Sequence, residues 1–270
     1  MNIRLEGLIS SVSSSKKPHS MAESRISYKA LAIIIILAIS YQIYISEIME
    51  DNDELEFGDI TYGLSALVSG IVALFVAKRY RGSEIFMGTY ASLGIGFLFL
   101  FVGDTTYNYH VYILNEDPYP SIADVFFLLF YPFIIYHLIK NIRYFKKNLS
   151  SGLKLGVAIL TLTIVSVFAL ISFDEIEGHS FESYFGLVFV LGSSLILSLT
   201  LLGVLVFRQS ILGTAWLLLA IGIFLFTFAD VWYYYLELIK EYSSSNFINT
   251  LWVLSNMLIV YALYKHRKTI

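Results

Sequence analysis

The sequence predicts an all-α, polytopic membrane protein with eight transmembrane helices in two parallel four-helix repeats. Three observations predict it: eight long apolar runs, too little charge to coat a soluble globule, and basic residues sorted to alternate connections. Of the 270 residues, 57% are apolar and only 14% are charged. A soluble domain usually carries about a quarter charged residues, so most of this surface must be solvated by lipid.

A helix crosses the hydrocarbon core with about 20 apolar residues. The chain supplies such runs at 30–46, 60–77, 85–112, 123–139, 153–173, 184–207, 211–238 and 247–264. They far exceed the ~10 residues of a barrel strand. The third and seventh are long, and each carries polar residues near one end.

The connections set the orientation. Of the 18 Lys and Arg, all but Lys240 fall before the first span, after the last, or in the second, fourth and sixth connections. The positive-inside rule then places both termini in the cytoplasm of a multi-pass plasma-membrane protein. The opposite connections are acidic: Glu47, Glu50, Asp51, Asp53, Glu54, Glu56 and Asp59 in the first, and Asp174, Glu175, Glu177 and Glu182 in the third. A wrong span count would scramble this alternation.

Residues 1–29 are polar and serine-rich and have no apolar core or cleavage site. They read as a disordered cytoplasmic tail rather than a secretory signal, with Met21 as an alternative start. The chain has no cysteine, which removes disulfides, thiolate nucleophiles and Cys-ligated metals. Helices in lipid associate through small residues. Gly88, Ser92 and Gly96 form such a face on the third span, and Ala66 and Gly70 form one on the second.

The chain also repeats itself with a period near 125 residues. Phe101–Tyr107 (FVGDTTY) aligns with Thr227–Tyr233 (TFADVWY), and Ile95-Gly96 aligns with Ile221-Gly222. Asp124 corresponds to Asn249, Tyr131 to Asn256, Tyr62 to Tyr184 and Gly70 to Gly192. Residues 30–147 and 148–270 are therefore read as two four-helix repeats. Four spans per repeat make the copies parallel, related by an axis along the membrane normal.

Asp104 and Asp230 lie inside apolar spans, near the outer third. Carboxylates at such depth are costly, and they usually face the bundle interior with partners. Helical spacing puts Asp104, Tyr107, Asn108 and Val111 on one face, and Asp230, Tyr233, Tyr234 and Glu237 on another. Asp124 aligns with Tyr131, and Asn249 with Asn256. The expected site is an outward-facing polar and aromatic cavity lined by Asp104, Tyr107, Asn108, Asp124, Tyr131, Asp230, Tyr233, Tyr234, Asn249 and Asn256. The same residues also suit a structural Tyr–Asp network that fixes helix register. Pro132 is expected to kink the fourth span. Tyr109, Tyr112, Trp232, Tyr235 and Trp252 read as an interfacial belt. His110 and His137 sit at opposite depths, and no metal-ligand spacing appears.

Gly103-Asp104, Tyr107 and the stretch Pro120–Pro132 (PSIADVFFLLFYP) carry a resemblance. They are similar to the multispan N-terminal membrane module of some bacterial and archaeal diguanylate cyclases and sensor histidine kinases. The second copy is looser: Asn249, Trp252, Leu254, Ser255 and Asn256 stand where that module has an Asp, a Trp, a Leu, a Gly and a Tyr. The resemblance implies a sensor. Only Lys265–Ile270 follow the last span, so signalling would pass to a separate cytoplasmic or membrane partner.

The sequence thus favours a stand-alone sensor-like or ligand-binding protein with the lipid bilayer as its surroundings and no nucleic-acid partner. No cofactor is specified. A lipid-modifying hydrolase remains an alternative, because paired carboxylates can act as acid and base, although no GxSxG or HExxH motif is present. A transporter, or a subunit of a larger membrane complex, is the other.

Overall fold

The computed structural model describes residues 26–47, 57–116, 120–175, 181–207, 213–238 and 245–269. The serine-rich tail up to residue 25, the acidic stretch 48–56, His179 and Lys240 lie outside them. Among the described residues eight α-helices follow one another: α1 (Tyr28–Glu47), α2 (Phe57–Arg79), α3 (Glu84–Tyr109), α4 (Ile122–Phe145), α5 (Ser151–Glu175), α6 (Phe181–Phe207), α7 (Gly213–Leu238) and α8 (Phe247–Thr269). All eight are long and apolar enough to cross a membrane. Their apolar residues run around the whole helix, which suits lipid on one side and protein on the other. Leu170 of α5 is 72% exposed and Ile36 of α1 is 60% exposed; such isoleucines and leucines need lipid, since water would leave them unpaired with anything apolar.

Local chemistry sets the helix ends. Ser83 caps α3 by accepting from the Phe86 N–H. Ser121 caps α4, and the Asp124 carboxylate returns a bond to the Ser121 N–H, a reciprocal capping box. α3 runs on into a π-helical turn (His110–Leu114). The turn is closed by Asn115 at φ 53°, a left-handed position that asparagine tolerates. α4 continues through Pro132 without a break.

Six helices form a closed ring in which neighbours run α2, α3, α4, α6, α7, α8 and back to α2. Exchanging α2 with α6, α3 with α7 and α4 with α8 leaves this order unchanged. α1 leans on α8, and α5 on α6. The outer pair therefore does not follow the exchange, because its symmetric counterpart would place α5 on α4.

Close approach in the ring depends on glycine. A Cβ at Gly94 would lie 2.9 Å from the Gly70 carbonyl oxygen and 2.7 Å from Leu74, so α2 and α3 cross backbone to backbone there. Gly96 seats Ile134 of α4, and Gly222 seats Ile259 of α8, at 2.8 and 2.7 Å from the would-be Cβ. Ser92 donates to the Phe133 carbonyl at 2.8 Å. The face of Ser92 and Gly96 thus meets α4, while Gly88 opens toward the Tyr136 hydroxyl at 3.8 Å. Gly70 works with Gly94, a residue outside the expected stripe.

The two seams between the first four helices and the last four use matching parts. On α2, Ser69 donates to the Asn256 side-chain oxygen of α8 at 2.9 Å. On α6, Ser193 meets the Tyr131 hydroxyl of α4 at 3.1 Å. Tyr131 and Asn256 are the pair that the sequence period aligns.

Among the described residues, every Lys and Arg lies at one end of the bundle: before α1 has made its first turn, between α2 and α3, at the end of α4 and the start of α5, and at the end of α8. That end is packed with rings. Trp216 stacks on Phe207 at 4.1 Å between centroids and on His137 at 5.7 Å. Tyr90 meets the edges of His137 and His266. His137 Nδ1 bonds the Thr89 carbonyl at 2.9 Å, and His266 Nδ1 pairs with the Tyr80 hydroxyl at the same distance. Burial raises the Tyr80 phenol to about 12, so this hydroxyl stays neutral and able to donate.

Candidate functional site

At the other end, the C-terminal turns of α3 and α7 and the N-terminal turns of α2, α4, α6 and α8 enclose a cavity of about 240 Å³. Among the described residues the wall contains two carboxylates, Asp104 from α3 and Asp230 from α7. Asp104 lies roughly 15 Å below Leu114, at about 1.5 Å of rise per helical residue. It is 9% exposed, as is Asp230.

The two acids are held differently. Asp230 accepts from Trp252 Nε1 at 2.9 Å and from Ser193 Oγ at 2.8 Å. Because the Ser193 proton goes to Asp230, Tyr131 is the donor in its 3.1 Å bond to Ser193. A relay of Tyr131, Ser193 and Asp230 therefore joins α4, α6 and α7, and Trp252 adds α8. Asp104 lies over the backbone of α2 instead, where a side chain at Gly63 would collide with its carboxylate. Phe127, which the period aligns with Trp252, covers Gly103, at 2.6 Å from the would-be Cβ. The indole N–H that reaches Asp230 thus has a phenyl ring at its matching position in the first repeat.

Eight of the ten expected site residues meet here: Asp104, Tyr107, Asn108, Tyr131, Asp230, Tyr233, Tyr234 and Asn249. Two do not. Asp124 caps α4 through its 2.7 Å bond from the Ser121 N–H. A residue in the first turn points back to the orphan amides of the helix start, so its helical alignment with Tyr131 does not carry it into the wall. Asn256 is spent on the α2–α8 seam. It accepts from Ser69 and donates to Ser65 Oγ at 3.0 Å and to the Trp252 carbonyl at 3.1 Å.

The belt expectation also needs correction. Tyr109 and Trp232 are half exposed, as a belt requires, but Tyr112 lines the cavity and Trp252 is buried in its wall. Trp252 stands three residues after Asn249, hence on the same helical face, and that spacing was the available signal. Tyr41, Tyr62, Phe130, Phe189 and Phe226 complete the lining. No periodicity distinguishes them from ordinary core aromatics.

The rings touch one another in a continuous chain. It runs Tyr62–Trp252 at 5.1 Å, Trp252–Tyr233 at 5.5 Å, Tyr233–Tyr234 at 5.2 Å and Tyr234–Phe189 at 5.0 Å. It continues Phe189–Tyr131 at 6.1 Å, Tyr131–Phe130 at 5.6 Å and Phe130–Phe226 at 5.2 Å. All eight rings line the cavity. Among the described residues no cluster of three or more His, Asp or Glu could hold a metal.

The class defined so far is a multi-pass helical membrane protein with an acidic, aromatic cavity at one end. The chain matches no protein-family model, no curated protein and no solved structure.

Proposed function

We propose that this is a ligand-binding membrane protein of sensor-like type. The observation that carries it is the convergence of Asp104 and Asp230, from corresponding places on α3 and α7, on one cavity whose walls come from both sequence repeats. Such a site lets a bound molecule draw the repeats together, and both ring seams adjoin it. The basic ends lie opposite, so the positive-inside rule turns the cavity away from the cytoplasm. The output then runs through the basic cytoplasmic face.

The packed rings at the basic end favour this reading over a transporter. A repeat interface is where transporters hold substrate, but passage needs a second opening, and Phe207, Trp216, His137, Tyr90 and His266 fill that end. For a hydrolase, the carboxylates would have to activate water. Asp230 instead accepts two side-chain hydrogen bonds that hold it in the wall.

The test is a thermal-shift screen of purified full-length protein, with Asp104→Asn/Asp230→Asn alongside. A ligand that stabilises the natural chain and not the folded double variant supports the reading. A double variant that only misfolds would assign the acids to scaffolding. Uptake of the same ligand into sealed proteoliposomes would move the assignment to transport.

A further inference from the structure

We infer that the cavity takes a small aromatic molecule of one or two rings; this rests on the ligand-binding reading above. Of the 18 described residues that line it, 12 are aromatic and only Leu100 and Val111 are aliphatic. The chain as a whole is 57% apolar but 16% aromatic. A pocket for an aliphatic guest would draw on that aliphatic majority, and this wall is built from the minority instead. Size sets a second limit. An apolar cavity of about 150 Å³ takes benzene, so a space of about 240 Å³ has room for one ring or two fused rings.

The rings also offer both geometries that an aromatic guest uses. A ring face is negative and its edge positive, so aromatic pairs favour offset stacking or edge-to-face contact. Tyr234 and Phe189 stack with 27° between their planes, whereas Tyr233 and Tyr234 meet edge-on at 72°. Trp252 is tilted by 57° to Tyr233 and by 42° to Tyr62. A planar guest can therefore stack on one ring and meet the edge of the next. A saturated guest of the same outline gains dispersion alone. Parts of the wall are fixed in advance: the Trp252 indole is held by its 2.9 Å bond to Asp230, and the Tyr131 phenol by its 3.1 Å bond to Ser193. Rings already ordered lose little freedom when a guest arrives.

Isothermal titration calorimetry on full-length protein in lipid nanodiscs, with empty nanodiscs as reference, tests this with two matched pairs: 2-phenylethanol against 2-cyclohexylethanol, and 2-naphthylmethanol against its decahydro analogue. Each pair is neutral, shares its hydroxyl and carbon skeleton, and differs in aromaticity. At least one aromatic is expected to bind, with its saturated partner roughly tenfold weaker or more, the scale of two ring–ring contacts. Burial alone predicts the reverse order, since the saturated partner is the more hydrophobic of each pair. Tyr233→Leu keeps apolar bulk and removes a ring from the middle of the chain of contacts; it is expected to weaken the aromatic several-fold and leave the saturated partner unchanged. Tyr233→Phe keeps the ring and is expected to keep the preference. Phe127→Leu, in the other repeat, reports independently should Tyr233→Leu not fold. Saturated partners that bind as tightly as the aromatics overturn the aromatic assignment and leave the ligand-binding reading intact. Absence of binding by both aromatics also overturns the assignment, while the thermal-shift screen decides the broader reading separately.

Discussion

The indole N–H of Trp252 donates to Asp230 across 2.9 Å, and it fastens α8 to the one carboxylate that also holds α6. Phe127 occupies the matching position in the first repeat and has no proton to give. The indole donor of the second repeat therefore has a phenyl ring as its counterpart in the first. Asp230 is fixed by side-chain donors from two neighbouring helices, and the Asp104 carboxylate packs against Gly63 of α2.

The two bonds to Asp230 predict sensitivity at both donors. Trp252→Phe keeps the ring and removes the donor, leaving a buried carboxylate short of a partner. Such a loss costs about 1–3 kcal/mol. Ser193→Ala removes the other donor and breaks the link to Tyr131. Thermal unfolding in nanodiscs is expected to fall for each. The double variant is expected to depart from additivity, because both donors serve one group. Unchanged melting of Trp252→Phe would sink the idea that Asp230 needs the indole.

Glycine substitutions are expected to act with opposite signs. Gly94→Ala forces a methyl into the Gly70 carbonyl and Leu74, an overpacking that costs about 1–3 kcal/mol. Gly156 on α5 has open space around its would-be Cβ, so Gly156→Ala is expected to be neutral or to stabilise by about 0.5–1 kcal/mol through helix propensity. Melting temperatures of the two variants, measured side by side, check the crossing point of α2 and α3.

The seam between α2 and α8 is testable as a coupled pair. Asn256 reaches Ser69 and Ser65 at once. Ser69→Ala and Asn256→Ala in a double-mutant cycle are expected to show a coupling of about 0.5–2 kcal/mol, the range for polar contacts between membrane helices. A coupling near zero would mean that the seam is held by packing alone.

The span pattern was legible because lipid imposes it. The run lengths, the sorted cations and the long third span all reappear as α1–α8 and the π-turned end of α3. The inward face of Asp104, Tyr107 and Asn108 was legible too, since a charge in an apolar helix has few places to go. What escaped was the use of polar residues whose partners lie elsewhere in sequence. The heptad relation of Asp124 to Tyr131 points it inward, but its own helix start claims it first. Indoles favour the membrane interface, while the partner of Trp252 is an acid 22 residues away. The order of the ring, with α4 against α6 and α8 against α2, has no signal in hydropathy at all. Every helix here is apolar all round.

The corrected role of Asp124 makes a separable prediction. Asp124→Ala removes half of the capping box and is expected to lower stability by about 1 kcal/mol. Asp124 is absent from the cavity wall, so the affinity for any ligand found there is expected to stay unchanged, in contrast to Asp104→Asn. Stability and affinity measured on the same samples separate the two roles. Loss of binding without loss of stability would return Asp124 to the site.

Orientation is testable from the two ends of the bundle. Glu116 lies just past the π turn at the cavity end, and Lys147 lies at the opposite end, after α4. The chain has no cysteine, so Glu116→Cys and Lys147→Cys each introduce a single reactive thiol at an exposed position. In intact cells, a membrane-impermeant maleimide is expected to label the first and to reach the second only after permeabilisation. Both sites accessible from outside would contradict eight crossings in the order given. The reverse pattern, with Lys147 outside, would turn the cavity toward the cytoplasm and replace an external ligand with an intracellular one.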